Sequence, residues 1–181
     1  FQDMSILGRG PSAGLFFINS LNTEMSTGGV MEGKPAMEVG ASQHEMDYLH
    51  VVDWKKAVTV ATDASKTKTV NGIRVIPLAT AISEKLLYFI PESKSPHGVD
   101  LAPGGEYIVV SGKLDPAVSV YSAAKIKEAI ASEKFDGKDV YGVPILKYDD
   151  CVAAHVETGL GPLHTVFDGD GNAYTSHFLD S

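Results

Sequence analysis

Cysteine is nearly absent: Cys151 stands alone among 181 residues. The chain therefore forms no internal disulfide and supplies no multi-cysteine zinc or iron–sulfur site. Basic charge is also scarce. Fifteen Lys and Arg face 23 Asp and Glu, a net charge of -8, which leaves no cationic stripe for phosphates and excludes nucleic acid as an expected partner. No window approaches the roughly 18 consecutive apolar residues of a membrane-spanning helix, because even Leu86-Leu87-Tyr88-Phe89-Ile90 lies between Lys85 and Glu92. Phe1-Gln2-Asp3-Met4 offers neither an initiator Met nor a basic and then apolar leader, so the sequence says nothing direct about targeting. A nucleophile elbow, a phosphate loop, a dinucleotide fingerprint and a Ser-His-Asp order are missing as well.

What is present is a globular composition, 44% hydrophobic and 21% charged with 18 Gly, of a size that suits one domain or a piece of one. The chain repeats itself. Gly14-Leu15-Phe16-Phe17-Ile18, Gly105-Glu106-Tyr107-Ile108-Val109 and Gly171-Asn172-Ala173-Tyr174-Thr175 each set a glycine turn before an apolar or aromatic strand. The second and third copies match further. His97 precedes Gly105, His164 precedes Gly171, and both copies end in Leu-Asp, at Leu114-Asp115 and Leu179-Asp180, a period of about 65 to 67 residues. A strand that runs into a Lys-rich helical start also occurs twice, from Tyr48 to Ala57 and from Val118 to Ala129.

Short strands in repeating units predict an all-β fold with short helical decorations, two to three blades of a β-propeller spanning residues 1–181. The period exceeds the usual 40 to 50 residues per blade, so insertions are required, and 27–43 and 62–71 read as exposed loops. An antiparallel sandwich would accommodate the strands but not histidines in register with the repeat.

Those histidines are the main chemical candidates. His97 in Ser95-Pro96-His97-Gly98 and His164 in Gly161-Pro162-Leu163-His164 each follow a proline and occupy one slot of successive units. In a propeller such slots face the axis, where imidazoles suit copper, zinc, iron or nickel. A lone histidine at a strand start is ordinarily a hydrogen-bonded turn residue; the shared register is what argues for ligation. Two donors cannot close a metal site, so further ligands must come from outside this chain. His44, His50, His155 and His177 read as structural or solvated. Glu24 and Asp47 flank the 27–43 insertion as oxygen donors suited to Ca²⁺. Asp149-Asp150 and Glu45 with Asp47 read as turn acids, Asp168-Gly169-Asp170-Gly171 as a hairpin turn, and Cys151 as a small buried hydrophobe.

Taken together, Lys94-Ser95-Pro96-His97-Gly98-Val99-Asp100, Val109-Val110-Ser111-Gly112-Lys113-Leu114-Asp115-Pro116, the stretch from Val156 to Thr165 with its Gly159-Leu160-Gly161-Pro162-Leu163-His164 core, and Phe167-Asp168-Gly169-Asp170-Gly171-Asn172-Ala173-Tyr174 resemble nitrous oxide reductase. Asn22-Thr23-Glu24-Met25 and Met46-Asp47-Tyr48-Leu49-His50-Val51 look most like its atypical, Sec-exported branch. The resemblance implies an internal fragment of an N-terminal seven-bladed propeller, with a C-terminal cupredoxin domain absent from these residues. It also implies reduction of N₂O to N₂ and water, the terminal step of denitrification, at a four-copper sulfide cluster held by seven histidines. His97 and His164 match two of the seven and are its metal and cofactor-binding positions here. A two-copper electron-entry site in the missing domain, an electron donor such as a cytochrome c or cupredoxin, a homodimer and a periplasmic location are further implications. The resemblance adds a structural calcium with Glu24 and Asp47 as acidic ligands and backbone oxygens around Leu21 and Met46. Ser95 stands where many relatives have Asn, which removes one calcium contact. The isolated chain is expected to be inactive. The competing reading is a non-catalytic propeller module that binds a structural calcium ion.

Overall fold

The computed structural model describes residues 3–20 and 47–180. Glu24, His44, Glu45 and the 27–43 insertion lie outside the described residues. Strands β1 (Asp3–Met4), β2 (Leu15–Ser20) and β3 (Tyr48–Asp53) pair antiparallel in chain order. A small hairpin of β4 (Lys68–Val70) and β5 (Ile73–Val75) stands apart, and β6 (Leu87–Pro91) returns to complete the first four-stranded sheet beside β3. Strands β7 (Pro96–Leu101), β8 (Tyr107–Gly112), β9 (Ala117–Ser122) and β10 (Val152–Glu157) form a second antiparallel meander. The hairpin of β11 (Pro162–Phe167) and β12 (Ala173–His177) begins a third sheet. These are blade-like units, and their first strands β1, β7 and β11 lie side by side.

Alternation explains the packing. Leu15, Phe17 and Asn19 of β2 point inward while their neighbours do not, and Leu49 and Val51 do the same from β3. They meet Val99, Leu101, Ile108, Val110 and Tyr121 of the second sheet in one continuous core. The Tyr121 side chain is fully buried, and its hydroxyl donates to the Pro91 carbonyl at 2.7 Å.

Both strand-to-helix repeats form as expected. Helix α1 (Trp54–Val60) follows β3 directly, with the Asp53 carboxylate accepting the Lys56 amide at 2.8 Å. In the second sheet, α2 being the short Leu78–Ser83 helix of the first, α3 (Ala123–Ser132) follows β9 with Ser122 as its cap. Ile126 and Ala129 of α3 are buried against the core, and α4 (Tyr148–Cys151) leads into β10 with Cys151 buried at its end. In the second sheet the extra length lies between the third and fourth strands, at 123–151, and the first sheet carries a matching insertion at 54–86 in addition to the stretch between β2 and β3. The 62–71 stretch differs from the loop expected of it: it contains a 3-10 turn, Ala64–Lys66, and the first strand of the β4–β5 hairpin. Val70-Asn71-Gly72-Ile73 supplies the reason, because Asn71 and Gly72 both adopt positive φ, at 50° and 80°, as a two-residue hairpin turn requires.

Candidate metal centre at the inner edge

The edge formed by β1, β7 and β11 carries the candidate site. His97 lies on β7 and His164 on β11, and their rings meet edge to face with centroids 4.8 Å apart and planes at 79°. An imidazole nitrogen sits about 2 Å from a bound ion, which puts each ring centroid about 3 Å from it. The observed separation therefore suits two imidazoles that converge on one ion or on adjacent ions. The two histidines singled out by the repeat are brought together.

Strand proximity makes this possible. A Cβ on Gly98 would fall 2.2 Å from the Leu163 carbonyl oxygen and 3.1 Å from the His164 Cα, so β11 approaches β7 over a position that only glycine fits. Proline precedes the close approach on both strands, and the pairing to the second strand of each unit slips there, between Pro96 and Val99 and between Pro162 and Thr165. These bulges turn the histidines off the regular ladder.

Polar side chains stitch the edge. Asn19 accepts the Asp3 amide at 2.9 Å within its own sheet and donates to the His97 carbonyl of the next sheet at 3.0 Å. Ser111 repeats the device: it accepts the Gly98 amide at 3.0 Å and donates to the Leu163 carbonyl beside His164. Ser176, one unit further on, hydrogen-bonds the His164 backbone. Acids act likewise. Asp3 accepts the Val99 amide at 3.0 Å from the next sheet, and Asp100 accepts the Thr165 amide at 2.7 Å.

The two aspartates also face a metal-ligand candidate. His164 Nδ1 lies 3.5 Å from Asp100 Oδ1 and 3.8 Å from Asp3 Oδ2, and single ligand atoms of the three residues lie within 4.8 Å of one another. Burial raises the Asp100 carboxyl, and the Thr165 amide and His164 pull it back. A carboxylate behind one ring nitrogen fixes the tautomer and presents the other nitrogen to a metal. Sequence reasoning passed over Asp3, Asp100, Asn19 and Ser111. A signal existed: Asn19, Ser111 and Ser176 stand five, six and five residues after the glycine turns at Gly14, Gly105 and Gly171.

The remaining candidates sit elsewhere. His50 is packed at 4.3 Å between ring centroids on Phe89 and lies 2.8 Å from the Ser20 hydroxyl, and burial lowers its pKa to about 4. His155 shares Ser119 and the Tyr148 hydroxyl, and His177 ends β12. Burial pushes the Cys151 thiol up to about 12, so it is no nucleophile. Asp168 accepts from the Asn172 side-chain amide, the Asn172 and Asp170 backbone amides and the Tyr174 hydroxyl in the β11–β12 turn, which lowers its carboxyl to about 2. Asp47 is buried immediately before β3, its carboxylate accepting the Ser95 amide at 3.0 Å.

Fold and edge together define an arc of propeller-type blades that carries imidazoles on neighbouring inner strands. Curated relatives give that arc a family. A nitrous-oxide reductase of Ralstonia nicotianae is 45% identical over 96 residues, 53% of this chain and 13% of the relative. That of Cupriavidus necator is 38% identical over 130 residues, 68% of this chain and 18% of the relative, and that of Stutzerimonas stutzeri 33% over 150 residues, 78% and 21%. The chain belongs to the nitrous-oxide reductase family and spans about a fifth or less of the length of these relatives. No protein-family model matches it. Among solved structures, hydrazine synthase of Kuenenia stuttgartiensis superposes with a TM-score of 0.48 and 13% identity, over 98% of this chain and 46% of that one.

Proposed function

We propose that this chain supplies part of the histidine cage of a copper-dependent nitrous-oxide reductase, with His97 and His164 as two ligands of a four-copper sulfide cluster. The observation that carries the reading is the convergence of these two rings on neighbouring inner strands, in a chain whose relatives bear that name. The donor set fits copper: neutral imidazoles hold Cu(I) without adding negative charge. When bound, the cluster supplies the two electrons for N₂O + 2e⁻ + 2H⁺ → N₂ + H₂O and several metal ions to engage an inert substrate.

The chain's own residues position the ligands. Asp100 and Asp3 face His164 Nδ1 and orient its ring. Asn19 holds the His97 carbonyl, and Ser111 holds the carbonyl of Leu163 next to His164. Neither histidine is required as a proton donor in this role. The other five cluster histidines, the cupredoxin domain with its two-copper entry site, the cytochrome c or cupredoxin donor, the homodimer and the periplasmic setting belong to the whole protein in this reading. A calcium ion at Asp47, with Glu24 as a second acid, would pin the segment between β2 and β3 to the first sheet.

Copper and sulfide analysis of the full-length protein containing this chain tests the proposal. His164→Ala is expected to abolish cluster copper while the thermal melt of the protein persists. Wild-type copper content in that variant overturns the ligand role and leaves the non-catalytic module as the better reading.

A further inference from the structure

Lys55, Lys56, Lys85 and Lys127 come from three separate stretches of the chain, and the fold gathers them around one cleft of about 620 Å³ between α1 of the first sheet and α3 of the second. No basic run in the sequence announces this cluster. All four residues are exposed. The floor between them is apolar: Ile130 lies partly buried on α3, and Tyr88 is buried with its ring backed by Phe135 at 6.0 Å between centroids. The cleft lies at the Leu15–Asp53 end of β2 and β3, and both its walls belong to this chain.

Two acids share the cleft, and both are engaged. Asp53 accepts the Lys56 backbone amide at 2.8 Å, and Glu133 pairs with the Lys85 ammonium. Lys127 donates to the Ala13 carbonyl at 3.1 Å, which holds its charge over the turn before β2. Among the described residues, neither Lys55 nor Lys56 forms an ion pair. Four ammonium groups against two carboxylates leave this cleft positive in a chain whose net charge is -8. An acidic partner is repelled by most of such a surface and drawn to the one patch of opposite sign.

The donors decide which anion fits. A compact phosphate is ordinarily gripped by backbone amides at a helix start or by the fork of an arginine. Here Asp53 already caps α1, and no arginine is among the described residues that line the cleft. Lysines on long apolar stems instead cover a hydrophobic floor and keep their charges at its rim, which matches a ligand with one apolar side chain between carboxylates. We propose that this cleft docks a short acidic segment of a partner protein, with an apolar side chain over Tyr88 and Ile130 and carboxylates against Lys55, Lys56 and Lys127. The proposal is independent of the histidine site.

Fluorescence anisotropy tests it, with a labelled peptide of Glu and Asp around one Phe titrated with the full-length protein that contains this chain. Lys55→Gln combined with Lys56→Gln is expected to weaken binding about tenfold, since each exposed charge contributes a few-fold. Lys55→Arg with Lys56→Arg keeps the charge and is expected to bind as the wild type does, which separates lost charge from lost fold. Lys68→Gln with Lys138→Gln removes two exposed charges outside the cleft and is expected to leave binding unchanged. Replacing the peptide's Phe by Gly is expected to weaken binding at least about fivefold. Equal losses in the two glutamine double variants mean a diffuse charge effect and overturn the site, as does equal binding of a peptide with Gln and Asn in place of its acids. Inorganic pyrophosphate that displaces the labelled peptide as readily as unlabelled peptide does makes the cleft a phosphate site and overturns a protein segment as its occupant. No binding by the wild type overturns the proposal outright.

Discussion

The inner edge and the outer rim of these blades treat polar groups in opposite ways. At the edge of β1, β7 and β11, the side chains of Asp3, Asn19, Asp100 and Ser111 bond the backbone of the neighbouring sheet. On the rim, charged groups pair in solvent, as Lys66 does with Glu84 at 2.7 Å and Lys85 with Glu133. Exposed pairs of that kind add little stability, whereas an edge bond lost between sheets leaves shielded donors and acceptors unpaired. The edge therefore has one permitted geometry, and the rim accepts insertions such as the β4–β5 hairpin. A site that must hold several ligands to a fraction of an ångström belongs on the former.

The severest test of this contrast is Gly98→Ala. The new Cβ would lie 2.2 Å from a backbone oxygen that cannot swing away, so β7 and β11 must separate. Destabilisation of about 3 kcal/mol or more is expected from overpacking at so tight a contact, read as a lowered midpoint in urea unfolding. A loss under about 1 kcal/mol would show that the strands slide freely and that the edge is not rigid.

His50 sharpens the comparison from another side, since burial by itself does not make a histidine a ligand. Its folded pKa of about 4 lies below the unfolded value of 6.5. The unfolded chain therefore binds the proton more tightly, so this group's contribution is complete above pH 6.5, declines as pH falls and is gone below about 4. That contribution is roughly 3 kcal/mol. Unfolding free energies measured between pH 7 and pH 4 should show this slope in the wild type and a flatter one in His50→Phe. Equal slopes would mean that the ring is solvated in the folded state.

Much of this was legible in the residues themselves. The glycine turns, the strand-into-helix repeat and the histidine register appear as β2, β8 and β12, as α1 and α3, and as the paired rings of His97 and His164. Local patterns sufficed because each depends on spacing within one unit. What stayed hidden depends on strands far apart in the chain. That Asp100 reaches Thr165, or that Glu92 lies opposite Asp47, is fixed by sheet pairing and by the stacking of neighbouring sheets, not by any local run of residues. The 62–71 segment was misread for a smaller reason: its Ser, Thr and Lys content suggests loop, while the Asn71-Gly72 turn imposes a hairpin.

The mildest test sets one edge hydroxyl against one rim side chain. Ser111→Ala removes the acceptor of the Gly98 amide and the donor to the Leu163 carbonyl, both on the strands that carry the histidines. With the site shielded from water, about 2 kcal/mol should be lost. Ile73→Thr on β5 replaces a side chain that is 67% exposed, and the change should stay within about 0.5 kcal/mol because β-propensity is retained. Matched thermal melts of the two variants give the difference directly. If Ile73→Thr proves the costlier change, then the apolar hairpin is covered in solution, and the division between a fixed edge and a tolerant rim fails at that point.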